Sequence, residues 1–308
     1  MAMQSQPPLD IQRALPLGPE GGDIGAVQSG WRLALREFAS NRLAVIGFAL
    51  LIFFVLFSFV GPFIYHTDQI DTNDILANMP PSGAHLLGTD NLGFDELGRL
   101  MKGGQAALEI GFFAAFVAIV IGTLWGAVSG LAGGIIDSAM MRVVDVFLSV
   151  PFLFVVLILA IKFGATVLSL SLVIGFFAWQ VPARLVRGEV LTLRERDFVL
   201  AARTAGATPW RLISRHLIPN ALGVVIVNVT FQVADAILAV SYIGFLGFGL
   251  HYPNVDWGDQ LSNGVGFLED GYWWLIYPVG ACIVLTVMAL NFIGDALRDS
   301  MDVRLRRR

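Results

Sequence analysis

Residues 110–136 read IGFFAAFVAIVIGTLWGAVSGLAGGII, a run that contains no charged side chain. A helix that crosses a bilayer needs about 20 apolar residues, so this run predicts a membrane span. The composition agrees, because 56% of the 308 residues are hydrophobic and 14% are charged. An average soluble domain has roughly 45–50% apolar and about 25% charged residues. Disorder, nucleic-acid binding and an ordinary water-soluble enzyme are therefore excluded.

Five more apolar runs bring the number of predicted transmembrane helices to six. The spans lie at about residues 43–65, 110–136, 146–161, 163–183, 221–250 and 272–294. Lipid offers the backbone no hydrogen-bond partner, so residues 43–308 are expected to form one all-α integral membrane domain. Residues 1–30 resemble a flexible cytoplasmic tail, and residues 31–42 an amphipathic interfacial segment. Residues 66–109 are interpreted as an external segment.

The basic residues are distributed unevenly between the two sides of these spans. With the amino terminus in the cytoplasm, seventeen of the twenty Lys and Arg fall inside, and only Arg99, Lys102 and Lys162 fall outside. The external segments 66–109 and 251–271 instead carry eleven carboxylates. By the positive-inside rule, both termini are predicted to be cytoplasmic.

The connection between the fourth and fifth spans, residues 184–220, is too long for a simple turn, and we call it the coupling loop. Good helix formers fill residues 185–205, and Gly206 is placed to end that helix. Thr208 and Pro209 form an N-cap followed by proline at the first helical position, and Pro219 is expected to end the second helix. Small residues at the turn suit close approach by another protein. A basic loop attracted to anionic lipid is the alternative.

The sequence of this loop resembles a known motif. Residues 197–220 read DFVLAARTAGATPWRLISRHLIPN, which is similar to the EAA loop of binding-protein-dependent ABC importer permeases. Leu200 replaces the Glu of that motif and His216 replaces its Ile. The resemblance implies contact with an ATPase subunit through Asp197, Leu200, Ala201, Ala202, Arg203, Gly206, Arg211, Arg215, His216 and Pro219.

Other segments resemble the dipeptide/oligopeptide branch of that family. These are NRLAVIG at residues 41–47, HLLGTDNLG at 85–93, FLGFG at 245–249 and NFIGDALRD at 291–299. The resemblance implies the type I ABC importer fold in a bacterial or archaeal cytoplasmic membrane. It also implies a peptide-importing heterodimer with a second permease, two cytoplasmic ATPases and an external binding protein.

The chain itself is not expected to hydrolyse ATP. A phosphate-binding loop needs G-x-x-x-x-G-K-[ST], and neither Lys102 nor Lys162 has that context. The resemblance therefore implies that partner ATPases use ATP and magnesium and that this chain binds no cofactor. An ion-coupled secondary transporter of small solutes is the alternative function. The cargo itself, whether dipeptide, oligopeptide, glutathione, nickel chelate or haem, does not follow from the chain.

Polar residues within the spans give a candidate translocation path. Asn228, Gln232 and Asp235 recur at helical spacing, and a carboxylate inside a membrane costs about 2.5–3.5 kcal/mol on insertion scales. Asp235 is equally compatible with a hydrogen bond to a neighbouring permease, and the Glu that peptide importers often carry is replaced here by Val240. The acidic external segment is interpreted either as a contact for the binding protein or as a solvated loop. His85 and His251 have no further ligands at metal spacing, so no metal site is expected.

Overall fold

The computed structural model describes residues 38–306, and its secondary structure is helical. The predicted tail at residues 1–30 and most of the interfacial segment at 31–42 lie outside the described residues. The first half of the chain forms α1 (Arg42–Phe59), α2 (Gly61–Ile64), α3 (Glu96–Ala132), α4 (Gly134–Ser149), α5 (Phe152–Phe163) and α6 (Val167–Phe176). The second half forms α7 (Gln180–Leu193), α8 (Asp197–Thr204), α9 (Pro209–Leu212), α10 (Ile218–Phe245), α11 (Trp257–Val265) and α12 (Tyr277–Arg306).

Four helical stretches are long and apolar enough to cross a membrane, and two bent pairs raise the number to six. The pair α4 and α5 is bent by 78°, and the pair α6 and α7 by 45°. A proline lies at each bend: the residue before a proline favours extended backbone, and a proline in a first helical turn has no N–H to donate to the preceding segment. Pro151 precedes α5, and Pro182 lies in the first turn of α7.

Several helices extend beyond the apolar runs that predicted them. The second span begins at Glu96, where Asp95 accepts a hydrogen bond from the Gly98 N–H, so residues 96–109 of the external segment are helical. The third span, formed by α4 and α5, begins at Gly134, and the fourth span, formed by α6 and α7, ends at Leu193. The two spans are joined by a turn in which Gly164 has φ 78°. The apolar runs did not predict these additional helical turns, because helix caps and packing, not hydropathy, determine where the helices end.

Helices α3 and α7 approach closely along a line of glycines. Gly122, Gly126 and Gly130 recur every fourth residue and face α7, where a Cβ added at Gly126 would lie 2.3 Å from the Ala183 carbonyl oxygen. Small residues at this spacing let two membrane helices bring their backbones together. Because α7 leads directly towards α8, this contact fixes the entry of the coupling loop against the bundle.

Candidate functional site

The coupling loop contains a break where a continuous helix over residues 185–205 was predicted. Helix α7 ends at Leu193, and α8 begins only at Asp197. Arg194 occupies the break, where its Nη1 donates to the Gly130 carbonyl oxygen at 2.9 Å. The prediction of one helix was wrong because this contact, together with burial of Val199, turns the chain back onto the bundle.

The turn after α8 has the conformation predicted for it. Gly206 has φ 82°, its N–H donates to the Arg203 carbonyl, and the Ala207 N–H donates to the Ala202 carbonyl. This pair of bonds is a Schellman motif, which favours glycine because other residues are strained at positive φ. The Thr208 hydroxyl oxygen then accepts from the Arg211 N–H at 3.3 Å, which confirms the predicted N-cap.

Pro219 does not end the second helix, contrary to the prediction. The chain passes from α9 through a π-helical turn, Ile213–Leu217, into α10 with Pro219 in its first turn. A proline lacks the N–H that an α-helix needs and its ring crowds the carbonyl four residues earlier. The wider turn, in which the Ile218 N–H donates to the Ile213 carbonyl, accommodates Pro219 without interrupting the helix.

The coupling loop is anchored on one side and exposed on the other. Val199 is 0% exposed and packs in a cluster with Val190, Leu212 and Leu217. Of the ten loop residues that the motif implied, Ala202 and His216 are half-buried, and the exposed ones are Asp197, Leu200, Ala201, Arg203, Gly206, Arg211, Arg215 and Pro219. The exposed residues of the coupling loop therefore form a surface over a packed base.

Two large aromatic residues on this surface were missed by the sequence reasoning. Trp210 is 63% exposed and Phe198 is 42% exposed. Both flank the small residues of the turn, so the surface has an apolar rim with basic residues beside it.

An ion-pair network joins the base of α7 to the connection between α3 and α4. Arg187 donates from Nε to Asp137 Oδ1 at 2.6 Å and from Nη2 to Oδ2 at 2.7 Å, and the Ser129 hydroxyl donates to the same carboxylate at 2.5 Å. Arg184 and Asp145 form a second, more exposed pair at 2.5 Å. Bidentate pairs of this geometry are among the stronger ionic contacts, so the entry of the coupling loop is held at several points.

The structure does not place the three path residues on one open surface. Asn228 and Gln232 are buried within the chain, where the Gln232 amide donates to the Ala178 carbonyl at 2.9 Å. Asn228 Oδ1 has no hydrogen-bond partner among the described residues. Only Asp235 is exposed, on the same part of α10 as Tyr242, while Val240 is buried.

On the opposite side of the bundle, part of the acidic segment is structural. Asp90 accepts from the N–H groups of Leu92 and Phe94 at 2.9 Å and pairs with Arg99 Nε at 3.1 Å. Asp95 accepts from the Tyr65 hydroxyl at 2.7 Å, and burial with this bond raises the tyrosine pKa. These buried carboxylates fix part of the segment, and for its exposed carboxylates both interpretations drawn from the sequence stay predictions.

A buried carboxyl group holds the connection between α10 and α11. Asp256 accepts from the Leu250 N–H and from the Asp259 N–H, each at 2.9 Å. Burial raises its pKa to about 6. Gly244 and Gly249 leave the space for this carboxyl, because an added Cβ at either would lie within 2.2 Å of its oxygens. No group of three or more His, Cys, Asp or Glu residues in the described part of the chain could hold a metal ion.

Comparison with known proteins assigns the family. Residues 110–307 match the binding-protein-dependent transport system inner membrane component, and residues 29–81 match the N-terminal TM domain of oligopeptide transport permease C. The chain belongs to this permease family. The resemblance drawn from the coupling loop is therefore confirmed.

Relatives match over nearly the whole chain. The dipeptide transport system permease protein DppC of Bacillus subtilis is 36% identical over 92% of this chain and 88% of its own length. The oligopeptide transport system permease protein OppC is 39% identical in Haemophilus influenzae, over 89% of both chains. In Salmonella typhimurium OppC is 40% identical, over 89% of this chain and 91% of its own length.

A solved structure supports the fold. A chain of the MetNI methionine ABC transporter superposes with a TM-score of 0.52 at 22% identity, over 65% of this chain and 95% of that chain. The predicted all-α type I ABC importer fold is confirmed by this likeness together with the helical spans.

Proposed function

We propose that this chain is one permease subunit of an ATP-driven importer that passes short peptides from an external binding protein into the cytoplasm. The relatives support the peptide class, because they are named dipeptide and oligopeptide permeases and are matched over most of their length. The proposed complex contains a second homologous permease, two cytoplasmic ATPases and the binding protein. ATP and magnesium are used by the ATPases, and this chain binds neither.

The observation that carries the proposal is the anchored turn of the coupling loop. Val199 fixes α8 to the bundle, while Trp210, Leu200 and Ala201 are exposed around the turn. An apolar surface with arginines beside it and a packed base beneath it suits docking of a partner protein better than lipid attraction. Lipid attraction needs charge but no defined turn.

The proposed orientation places the coupling loop and both termini in the cytoplasm. Seven arginines within or beside this loop support that side by the positive-inside rule. The exposed Asp235 supports a second permease or a polar path beside α10, because a carboxylate facing lipid is costly. Its neighbour Tyr242 is exposed on the same surface.

The test compares two glycines that have the same backbone geometry. Gly206 and Gly247 each follow a helix with φ near 80° in a Schellman turn, and a Cβ at either would meet no atom within 4 Å. Valine at either position should strain the turn by about 1–2 kcal/mol. Only Gly206→Val alters the proposed docking surface, since Gly247 lies at the other end of α10.

The readouts are ATP hydrolysis and uptake of a labelled tripeptide by the full complex in proteoliposomes. We expect Gly206→Val to reduce uptake per ATP hydrolysed by at least about tenfold, as expected for a lost coupling contact, while Gly247→Val stays near wild type. Unchanged coupling in Gly206→Val, or equal loss in both variants, would contradict the docking role. Uptake that persists without ATP but stops when the proton gradient collapses would instead identify a secondary transporter.

A further inference from the structure

A cavity of about 420 Å³ lies beside the amino-terminal third of α3. One wall is a face of α3 with Arg99, Lys102, Gln105 and Glu109, and residues 67–70 and 253–255 close the other sides. Small-molecule sites typically have volumes of about 300–1,000 Å³ with apolar walls and a few placed polar groups. The apolar part here comes from Ile70, Ala106, Val167 and Val255.

Two opposite charges in this wall have no partner within the part of the chain that the structure describes. Among the described residues, neither the Lys102 ammonium nor the half-buried Glu109 carboxylate makes an ion pair or a hydrogen bond. Arg99, in contrast, pairs with Asp90 at 3.1 Å and lies 4.4 Å from the centroid of the Phe94 ring. The Lys102 side chain is exposed at the mouth of the cavity, whereas Glu109 is half-buried, and a carboxylate partly removed from water without a partner favours a ligand that supplies the opposite charge.

Two other polar groups in the wall, Asp68 and Gln105, are already engaged. Asp68 is exposed, and its carboxylate accepts from the Ile70 and Asp71 N–H groups, which lower its pKa. Gln105 donates from Nε2 to the Ser58 carbonyl at 2.7 Å. This bond fixes the amide and leaves Gln105 Oε1, midway between Lys102 and Glu109, as an acceptor for a ligand N–H.

The spacing of the two charges fits the two ends of a short peptide. Lys102 and Glu109 are seven residues apart on one face of α3, which is about 10.5 Å along the axis at ~1.5 Å per residue. An extended peptide advances roughly 3.3–3.6 Å per residue, so about three residues cover this distance. We propose that the cavity binds a free peptide of about three residues, with its carboxylate at Lys102 and its ammonium at Glu109.

This proposal rests on the proposed peptide-import function and adds a length and a direction to it. Glu109 lies further along α3 than Lys102, so in the proposed orientation the amino end of the peptide enters the membrane first. The side chains of the peptide would contact Ile70 and Val255, which make no charge-specific contact. The site thus selects termini and length rather than sequence.

The experiment measures ATP-driven uptake of trialanine, N-acetyl-trialanine and trialanine amide by the full complex, at concentrations that saturate the binding protein. Two ratios of uptake rates are formed, trialanine to N-acetyl-trialanine (free-to-acetyl) and trialanine to trialanine amide (free-to-amide). Each ratio is compared between wild type and variants, and any discrimination by the binding protein cancels because the same binding protein is used throughout. Glu109→Gln should reduce the free-to-acetyl ratio by about fivefold, and Lys102→Gln should reduce the free-to-amide ratio similarly, as expected for the loss of one charge-assisted hydrogen bond to the peptide. Each variant should leave the other ratio unchanged.

Two charge-removing controls lie away from the cavity. Lys162→Gln and Glu269→Gln should change neither ratio, because neither side chain lines the cavity. Unchanged ratios in Lys102→Gln and Glu109→Gln, with normal uptake of trialanine, would overturn this site and leave the importer function intact. If Glu109→Gln lowered the free-to-amide ratio and Lys102→Gln lowered the free-to-acetyl ratio, the proposed direction of the peptide would be overturned. A wild-type complex that imports no trialanine with ATP would overturn the proposed function itself.

Discussion

The close contact between α3 and α7 gives the sharpest test of the packing. A Cβ at Gly126 would lie 2.3 Å from the Ala183 carbonyl oxygen and 2.9 Å from the Arg187 backbone nitrogen. Both atoms belong to the backbone of α7, so no side-chain rotation can relieve the overlap. Gly126→Ala therefore requires α7 to move away by about 1 Å, which also loosens the contacts at Gly122 and Gly130.

The size of the effect follows from two opposing terms. Overpacking of a tight interface costs typically about 1–3 kcal/mol. Alanine in place of glycine within a helix contributes about 0.5–1 kcal/mol in the other direction. With a backbone overlap at 2.3 Å, the overlap outweighs the helix preference, and we expect net destabilisation of about 1–2 kcal/mol.

Gly188 provides the matched control. It is an exposed glycine in α7, and a Cβ there would meet no atom within 4 Å. Gly188→Ala should therefore stabilise the chain by about 0.5–1 kcal/mol. Thermal unfolding of the two variants in one detergent and at one heating rate should shift the midpoint in opposite directions. A Gly126→Ala variant that is as stable as the wild type would refute the close approach of the two helices.

Two further predictions concern charged groups. Arg187→Gln leaves the Asp137 carboxylate without its bidentate partner and should lower the free energy of unfolding by about 1.5–3 kcal/mol in the thermal unfolding assay. As a control, Arg142→Gln removes an exposed ion pair at 3.9 Å and should change the free energy of unfolding by under about 0.5 kcal/mol in the same assay. The Asp256 pKa rises from 3.8 to about 6 on burial, so its contribution to stability is complete below about pH 4 and is lost as the pH rises towards 6. Asp256→Asn should remove this part of the pH dependence, on the order of 2–3 kcal/mol, and parallel unfolding curves for wild type and variant between pH 4 and 7 would contradict it.

The sequence predicted those features that local chemistry or lipid alone decides. Apolar runs predicted the membrane helices because the bilayer imposes length and composition on any span. Gly206 and Thr208 predicted the turn of the coupling loop because positive φ and N-capping have strong residue preferences. These signals need no knowledge of the neighbouring helices.

The features that failed depend on tertiary contacts. The helical start at Glu96 was missed because Arg99 and Glu109 interrupt the apolar pattern, while the structure buries Arg99 against Asp90. The break after Leu193 was missed because nothing local marks it, and the Arg194 contact to Gly130 and the burial of Val199 explain it. Helical spacing placed Asn228 and Gln232 on one face correctly but could not say that other helices cover that face.

The same contacts connect the coupling loop to the bundle. Arg187 is tied to Asp137, Arg194 to the Gly130 carbonyl, and Val199 packs against Val190. The first two ties hold this stretch of chain against α3 and α4, and the third holds α8 against α7, so a tilt of α8 would displace α7 or α3. Close-packed interiors transmit such displacements rather than absorbing them. A force applied to the exposed turn at Gly206 would therefore reach α3, whose other end lines the cavity proposed for the peptide.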